Sequence, residues 1–257
     1  RAKVIGLSLK DRGASLPAGH AAHAAYWYDG GSGKFISSTF YKPGLPYWLE
    51  KFNNLNLSDK LLSSTWNTVL PLDQYTESGP DDSPYELTLK GKAKPVFPYP
   101  LSELRKTNDN FDLLGKVPFG NDLLTELVKA ALPGESLGAD NITDFLCISF
   151  SATDGVGHSW GPNSIEVEDT YIRLDRNIEE LLTMLDKTVG QNQYLLFLTA
   201  DHAVAEPPRQ MIDMKIRAGL FSSSKLEKDL GDYLNQYFPN VKVIEKISNN
   251  KFENSIT

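Results

Sequence analysis

The chain has 257 residues, 40% of them hydrophobic and 23% charged, which is the composition of a globular protein long enough to bury a sizeable core. Its formal net charge of -7 argues against broad nucleic-acid binding, because nucleic-acid-binding proteins need a basic surface. No apolar run in the sequence approaches the roughly 20 residues of a membrane-spanning helix, so we expect no membrane span.

The N-terminal part of the chain predicts strands and short helices. Apolar runs bounded by turn residues predict strands, and the runs of this kind are 2–9, 24–28 and 34–41. The last two flank a glycine-rich loop and therefore predict a hairpin. Helical character is predicted for residues 14–25, 45–53 and 58–67.

Residues 71–118 have a different composition, because seven of the chain's fifteen prolines fall in this stretch. Proline, together with the frequent Gly, Ser and Asp residues, interrupts regular structure. Only residues 85–89 resemble a strand. We therefore expect an irregular surface excursion or the edge of a cap.

The C-terminal half predicts a strand, a helix and a further strand in that order. The predicted helices are 120–132, 164–185 and 222–237, and the predicted strands are 144–150, 194–200 and 241–246. Asn121 or Asp122 is the expected N-cap of the first of these helices. A strand–helix–strand unit requires a parallel sheet. The expected fold class is α/β, with a mostly parallel central sheet flanked by helices and with irregular cap insertions.

Two of the predicted strands each lead into a pair of metal-type ligands. Asp154 and His158 follow the strand 144–150 within a segment that contains two glycines, which predict a sharp turn. Asp201 and His202 follow the next strand directly. Each pair alone also fits an ordinary exposed loop, but parallel neighbours would bring both pairs to one edge of the sheet. Two carboxylates and two imidazoles at that edge suit zinc.

Lys10 and Arg12 follow the first predicted strand. Alternate residues on a strand share a face, so both cations are expected to point at one ligand. An Arg fork and a Lys ammonium suit phosphate oxygens, although the same residues also fit a solvated surface cluster. His20 and His23 have no carboxylate or cysteine close by, and we interpret them as structural.

Five motifs occur in an order that resembles a known group of enzymes. The motifs are SLKDRGA at 8–14, LPAGH at 16–20, AYWYD at 25–29, DGVGH at 154–158 and TADH at 199–202. Together they resemble the alkaline phosphatase superfamily. The similarity is greatest to the bacterial periplasmic phosphate-irrepressible alkaline phosphatases, often described as type I phosphodiesterase/nucleotide pyrophosphatase proteins.

The resemblance implies a two-zinc phosphate monoester hydrolase that acts through a covalent phospho-enzyme. It implies that Asp154 and His158 hold one zinc ion and that Asp201 and His202 hold the other. It further implies that Lys10 and Arg12 bind the phosphoryl oxygens of a small phosphorylated substrate, while a Thr or Ser is the nucleophile. A periplasmic or secreted location is implied as well, and the oligomeric state stays open.

The chain departs from the family pattern at both ends. The family has a metal-binding Asp and the nucleophile before the Lys-x-Arg motif, and a third His after the position of His202; neither is found here. We therefore expect residues 1–257 to be a partial alkaline phosphatase-like domain, an internal fragment that is inactive alone, with 207–257 as the start of a cap insertion. The alternatives are a phosphodiesterase or nucleotide pyrophosphatase with the same metal core, a non-catalytic remnant that binds phosphorylated ligands, and a purely structural α/β protein.

Overall fold

The computed structural model describes residues 1–219, 222–239, 244–248 and 251–254. The chain divides into two compact units, Arg1–Pro207 and Pro208–Thr257. The strands among the described residues are β1 (Val4–Ser8), β2 (Ala24–Asp29), β3 (Lys34–Ile36), β4 (Thr65–Trp66), β5 (Tyr99–Pro100), β6 (Phe145–Ser149), β7 (Ile244–Ser248) and β8 (Lys251–Asn254). The α-helices are α1 (Asp11–Ala18), α2 (Tyr47–Asn53), α3 (Leu57–Leu62), α4 (Leu101–Leu104), α5 (Phe119–Gly134), α6 (Ala152–Trp160), α7 (Ile165–Leu185), α8 (Pro208–Asp213) and α9 (Ser223–Asn235).

A mixed four-stranded sheet with the order β3-β2-β1-β6 lies at the centre of the first unit. β1 pairs in parallel with both β2 and β6, and β2 pairs antiparallel with β3. Helices α1 and α5 pack against β1, whose Ile5 and Leu7 are completely buried, as expected for a central parallel strand. The predicted α/β fold with a mostly parallel sheet flanked by helices is confirmed, and so is the predicted hairpin of β2 and β3.

Helix α1 begins directly after the central strand and packs tightly on it. At Gly6 a β-carbon would lie 1.9 Å from the carbonyl oxygen of Ala14, so only glycine allows this approach. Lys10 is the N-cap residue of α1, and Arg12 lies in its first turn. The expectation that Lys10 and Arg12 share one strand face is therefore wrong, because the chain turns into a helix immediately after the strand.

The two long helices of the first unit, α5 and α7, lie within two residues of the bounds that the sequence predicts. Ser164 caps α7 by accepting a hydrogen bond from a backbone N–H of the first turn. The expected caps of α5 have other roles. Asn121 donates a hydrogen bond to Thr153 in α6. Asp122 accepts one from Asn177 in α7, so both side chains tie α5 to its neighbours.

Residues 71–118, hereafter the excursion, are all described and contain only short regular elements. These are the 3-10 turns Leu72–Gln74 and Asn110–Lys116, the strand β5 and the helix α4. The strand expected over residues 85–89 is not formed. The N–H of Leu87 donates a hydrogen bond to the carbonyl oxygen of Ser159 at 2.8 Å and does not pair with a neighbouring strand. The role of the excursion as the edge of a cap stays a prediction.

A buried carboxylate on α7 holds the chain that leads into the excursion. Asp169 is 0% exposed, and four donors reach its two oxygens. The donors are Trp66 Nε1 (2.7 Å), the N–H of Val69 (2.7 Å), Tyr75 Oη (2.6 Å) and Arg173 Nε (2.7 Å). The charge of Asp169 is therefore fully matched by hydrogen-bond donors despite its burial.

Residues 194–200 belong to no strand or helix of the described chain. Leu195, Phe197 and Leu198 are 80%, 77% and 74% exposed, so the predicted burial of this run is wrong. β6 consequently ends the sheet, and the predicted strand–helix–strand unit is wrong in its second strand. An apolar run becomes a strand only when a neighbour completes its backbone hydrogen bonds, and no strand in the described ranges does so here.

The second unit contains α8, α9 and the antiparallel hairpin of β7 and β8. α9 lies within the predicted helix 222–237, and Ser222 caps it by accepting a hydrogen bond from the N–H of Lys225. Residues 241–243 of the predicted strand lie outside the described residues, and the rest of that strand falls in β7. The expectation that residues 207–257 begin a cap insertion stays a prediction. Across the described helices of both units, none is long and apolar enough to cross a membrane.

Candidate metal and phosphate site

Asp154 and His158 lie one turn apart on α6, the helix that follows β6. Residues four apart on a helix point to the same side, so the two side chains can act together. The prediction of a glycine-rich sharp turn at this motif is wrong. Gly155 instead allows close packing, because a β-carbon there would lie 1.8 Å from the carbonyl oxygen of Gly115.

Three separate segments bring polar side chains to the carboxylate of Asp154. His158 Nε2 lies 3.1 Å from Asp154 Oδ1, and His202 Nε2 lies 3.5 Å from the same atom. The ammonium group of Lys10 contacts Asp154 Oδ2. The two imidazoles remain accessible to solvent, with side-chain exposures of 74% and 52%. The structure thus gathers one carboxylate, two imidazoles and one ammonium at the end of the sheet.

The electrostatics of Asp154 favour its ionised form. Burial raises the pKa of this carboxyl, but the hydrogen bond and charge of Lys10, together with the two imidazoles, outweigh burial and hold the pKa below its ordinary value. Asp154 Oδ1 is nevertheless buried and accepts no hydrogen bond. A carboxylate oxygen without a donor and imidazole nitrogens are the types of ligand that zinc accepts.

Two of the residues singled out by the sequence do not join this group. The side chain of Asp201 is 91% exposed, and its Oδ2 lies 3.6 Å from Nε2 of the adjacent His202. Arg12 is exposed on the first turn of α1. Within the ranges that the structure describes, no three His, Cys, Asp or Glu side chains are arranged to hold a metal ion. The roles of all these residues as ligands therefore stay predictions.

Most of the chain matches the sequence profile of a known protein family. The sequence profile of the type I phosphodiesterase/nucleotide pyrophosphatase family matches residues 7–219. The chain belongs to this family.

Solved and curated proteins of similar sequence extend this result. The chain superposes on the crystal structure of wild-type alkaline phosphatase PafA with a TM-score of 0.87 and 43% identity, covering 98% of this chain and 48% of that one. Alkaline phosphatase PhoV of Synechococcus elongatus is 50% identical over 208 residues, which are 81% of this chain and 38% of PhoV. Alkaline phosphatase PafA of Elizabethkingia meningoseptica is 46% identical over 237 residues, which are 92% of this chain and 43% of PafA. The chain therefore spans less than half the length of each of these relatives.

In this member of the family, serine hydroxyls join the ends of β1 and β6 beneath the candidate site. Ser8 is 0% exposed, and its Oγ lies 2.9 Å from Ser151 Oγ. The same oxygen accepts a hydrogen bond from the N–H of Lys10 at 3.0 Å and donates to the carbonyl oxygen of Ser149 at 3.2 Å. These serines were missed by the sequence interpretation, although a polar residue at the end of an apolar strand was the available signal.

The two remaining histidines of this family member make structural contacts. His23 Nδ1 accepts a hydrogen bond from the N–H of Val4 at 3.1 Å, which extends the pairing at the start of β1. The ring of His20 packs edge-on against Phe40, with 5.5 Å between the ring centroids. Both contacts agree with the structural interpretation of these residues.

Proposed function

We propose that the protein containing this chain hydrolyses phosphate monoesters at a site that holds two zinc ions. The observation that carries this proposal is the convergence of Lys10, His158 and His202 on the carboxylate of Asp154. A phosphate site needs cations and a metal site needs anionic and imidazole ligands, and this arrangement supplies both. The alkaline phosphatase names of the two relatives support a phosphate ester as the substrate.

The two ligand pairs are assigned to different ions. Asp154 and His158 would hold one zinc ion, and Asp201 and His202 would hold the other. The buried Oδ1 of Asp154, which has no hydrogen-bond partner, supports the first assignment. Zinc bound at such a site supplies Lewis acidity that stabilises charge on the attacking and leaving oxygens.

The two cations at the start of α1 are proposed to bind the substrate. Lys10 and Arg12 would bind the non-bridging oxygens of the phosphoryl group. The phosphoryl group of a monoester carries two negative charges, whereas that of a diester carries one, so two added cations favour the monoester. The hydrogen bond from the backbone of Lys10 to Ser8 holds this residue at the start of α1, beside Asp154.

The nucleophile is proposed to be a Thr or Ser outside these 257 residues. Its hydroxyl oxygen would bond to phosphorus as the alcohol of the substrate departs, and water would then cleave the phospho-enzyme and release phosphate. The isolated chain is therefore expected to be inactive. We further propose, by resemblance to the family, that the protein lies in the periplasm or outside the cell and acts on small phosphorylated compounds.

Rates on an aryl phosphate monoester and on the matching diester, measured with the full-length protein, test the proposal. Lys10→Ala is expected to lower kcat/KM for the monoester by about 100-fold, because a preorganised cation is lost from the phosphoryl group. The loss for the diester should be much smaller. Lys51→Ala, which removes an exposed lysine of α2, is the control and should change neither rate. Equal losses on both substrates would contradict the monoesterase assignment.

A phosphodiesterase or nucleotide pyrophosphatase with the same metal core is the second candidate, because the family carries that description. A wild-type kcat/KM that is higher for the diester than for the monoester would favour it. A non-catalytic remnant that binds phosphorylated ligands is the third candidate. In that case the full-length protein, supplied with zinc, would turn over neither ester.

A further inference from the structure

Two carboxyl groups, one half-buried on the excursion and one buried at the start of α7, each carry a buried oxygen and interact through their charges. Glu166 of α7 is 0% exposed, and its Oε1 accepts a hydrogen bond from the hydroxyl of Tyr99. Its other oxygen, Oε2, is buried without a hydrogen-bond partner. The Oε2 of Glu86, on the excursion, is also buried and has no hydrogen-bond partner. Two buried anionic oxygens that lack donors would be strongly unfavourable if both groups were ionised.

The surrounding charges do not neutralise this pair. The charged side chains that interact with the pair are Asp81, Asp82 and Lys92, all on the excursion. The hydroxyl of Tyr99, in β5, contributes a hydrogen bond to Glu166. Lys92 is the one cation among these charged side chains, and its ammonium donates to the carbonyl oxygens of Val96 and Pro98 at 2.6 and 2.7 Å. It also lies 4.3 Å from the centroid of the Tyr99 ring. Lys92 therefore donates to neutral carbonyl oxygens, while two further carboxyl groups, Asp81 and Asp82, add negative charge around the pair.

Asp169, one turn along α7 from Glu166, shows how this protein buries a carboxylate that is fully paired. Both of its oxygens accept hydrogen bonds, and one donor is the guanidinium of Arg173. Glu166 is as buried as Asp169, and Glu86 is half-buried, yet each glutamate keeps one buried oxygen without a donor. What the two glutamates lack is a donor to Oε2, and a bound proton on the pair would remove the cost of burying two unpaired anionic oxygens.

The pair lies where the excursion is attached to the corner between α6 and α7. On either side of Glu86, the N–H of Leu87 donates to the carbonyl oxygen of Ser159 at 2.8 Å, and the N–H of Gly79 donates to that of Asn163 at 2.7 Å. Ser159 lies in the last turn of α6, and Asn163 lies in the connection between α6 and α7. Charge repulsion between Glu86 and Glu166 would therefore act directly against these two attachments.

We propose that Glu86 and Glu166 together retain one proton at neutral pH, and that loss of this proton to solvent in alkaline conditions loosens the excursion from the α6–α7 corner. The proposal does not depend on the phosphatase assignment, because it concerns only the attachment of the excursion. It makes this attachment sensitive to pH in the alkaline range.

The acidities of the two groups support the proposal. Burial, with added repulsion from Glu166 and Asp81, raises the pKa of Glu86 to about 9. Burial raises the pKa of Glu166 to about 7, opposed in part by the hydrogen bond from Tyr99. Because the groups repel each other, the two steps of titration belong to the pair rather than to either residue. Both values lie above the ordinary 4.5, so the folded state binds more protons than the unfolded state and stability falls as the pH rises toward 9.

Fluorescence and denaturation of the purified protein test the proposal. Trp160 Nε1 donates to the hydroxyl of Tyr99 at 3.0 Å, so its indole is a probe next to Glu166. We expect a fluorescence transition in the wild type between neutral pH and about pH 10, with a urea midpoint that falls on the order of 1 M over the same range. Glu86→Gln keeps the shape of the protonated carboxyl and should abolish the transition and flatten the pH dependence of the midpoint.

A matched variant and a direct measurement complete the experiment. Glu103→Gln changes an exposed glutamate of the same excursion and should leave the wild-type behaviour intact. Infrared spectra at neutral pH should show the stretch of a protonated carboxyl that is lost in Glu86→Gln or in Glu166→Gln, which keeps the test valid if one variant fails to fold. An unchanged infrared band in both variants, or the same alkaline transition in Glu86→Gln as in the wild type, would overturn the proposal.

Discussion

At the scale of single residues, the attachment of the excursion depends on how many donors each buried carboxylate receives. Asp169 receives four, from Trp66, Val69, Tyr75 and Arg173. Asp169→Asn removes the charge that Arg173 pairs with and turns an amide N–H₂ toward other donors. We expect the free energy of unfolding to fall by about 3–5 kcal/mol, the usual cost of breaking a buried ion pair on one side.

Urea denaturation at neutral pH measures this loss. Asp175→Asn, which changes an exposed carboxylate on the same helix, is the control and is expected to alter stability by less than about 0.5 kcal/mol. A loss below about 1 kcal/mol for Asp169→Asn would show that the four hydrogen bonds do not hold the segment before the excursion onto α7.

At the scale of elements, the position of α6 sets the geometry of the candidate site, because this helix carries Asp154 and His158. Gly155→Ala places a methyl group where a β-carbon would lie 1.8 Å from the carbonyl oxygen of Gly115. The helix must then move away from the neighbouring 3-10 turn, and we expect a loss of stability of about 1–3 kcal/mol. Thermal or urea unfolding measures it.

The partner glycine of the same contact provides the control for this prediction. A β-carbon at Gly115 would meet no atom within 4 Å, so Gly115→Ala should be neutral or slightly stabilising. Similar destabilisation by both substitutions would mean that glycine matters here for the conformation of the backbone and not for the approach of α6.

The elements also show what the sequence could and could not predict. α5 and α7 were predictable because their long amphipathic repeats are local signals. The helix at Asp154 was not, since two glycines favour a turn until the packing against Gly115 is known. The same holds for α1, whose close packing on the central strand depends on the contact of Ala14 with Gly6. The run 194–200 has strand composition, but its pairing depends on a neighbour that no local pattern reveals.

At the scale of the whole molecule, the candidate site exists only when distant parts of the chain are assembled. Lys10 and Asp154 are 144 positions apart in the sequence, and the parallel pairing of β1 with β6 brings the ends of their strands together. The sequence could predict that parallel strands meet at this edge, but not which side chains come together there. The sequence predicted that ligand pairs would meet at an edge of the sheet, and the geometry brings His202 to Asp154 but leaves the side chain of Asp201 exposed.

The last prediction concerns metal retention by the chain as a whole. The 257 residues supply two candidate ligands for each proposed zinc ion, Asp154 with His158 and Asp201 with His202, whereas protein zinc sites usually have three or four. We expect the isolated chain, loaded with zinc and then dialysed, to keep far less than the full-length protein does under the same treatment. Metal analysis by atomic emission measures the ratio, and His20→Ala, which alters a histidine outside the candidate site, should not change it. Two tightly held zinc ions per isolated chain would contradict the expectation that the ligand set is completed by residues elsewhere in the protein.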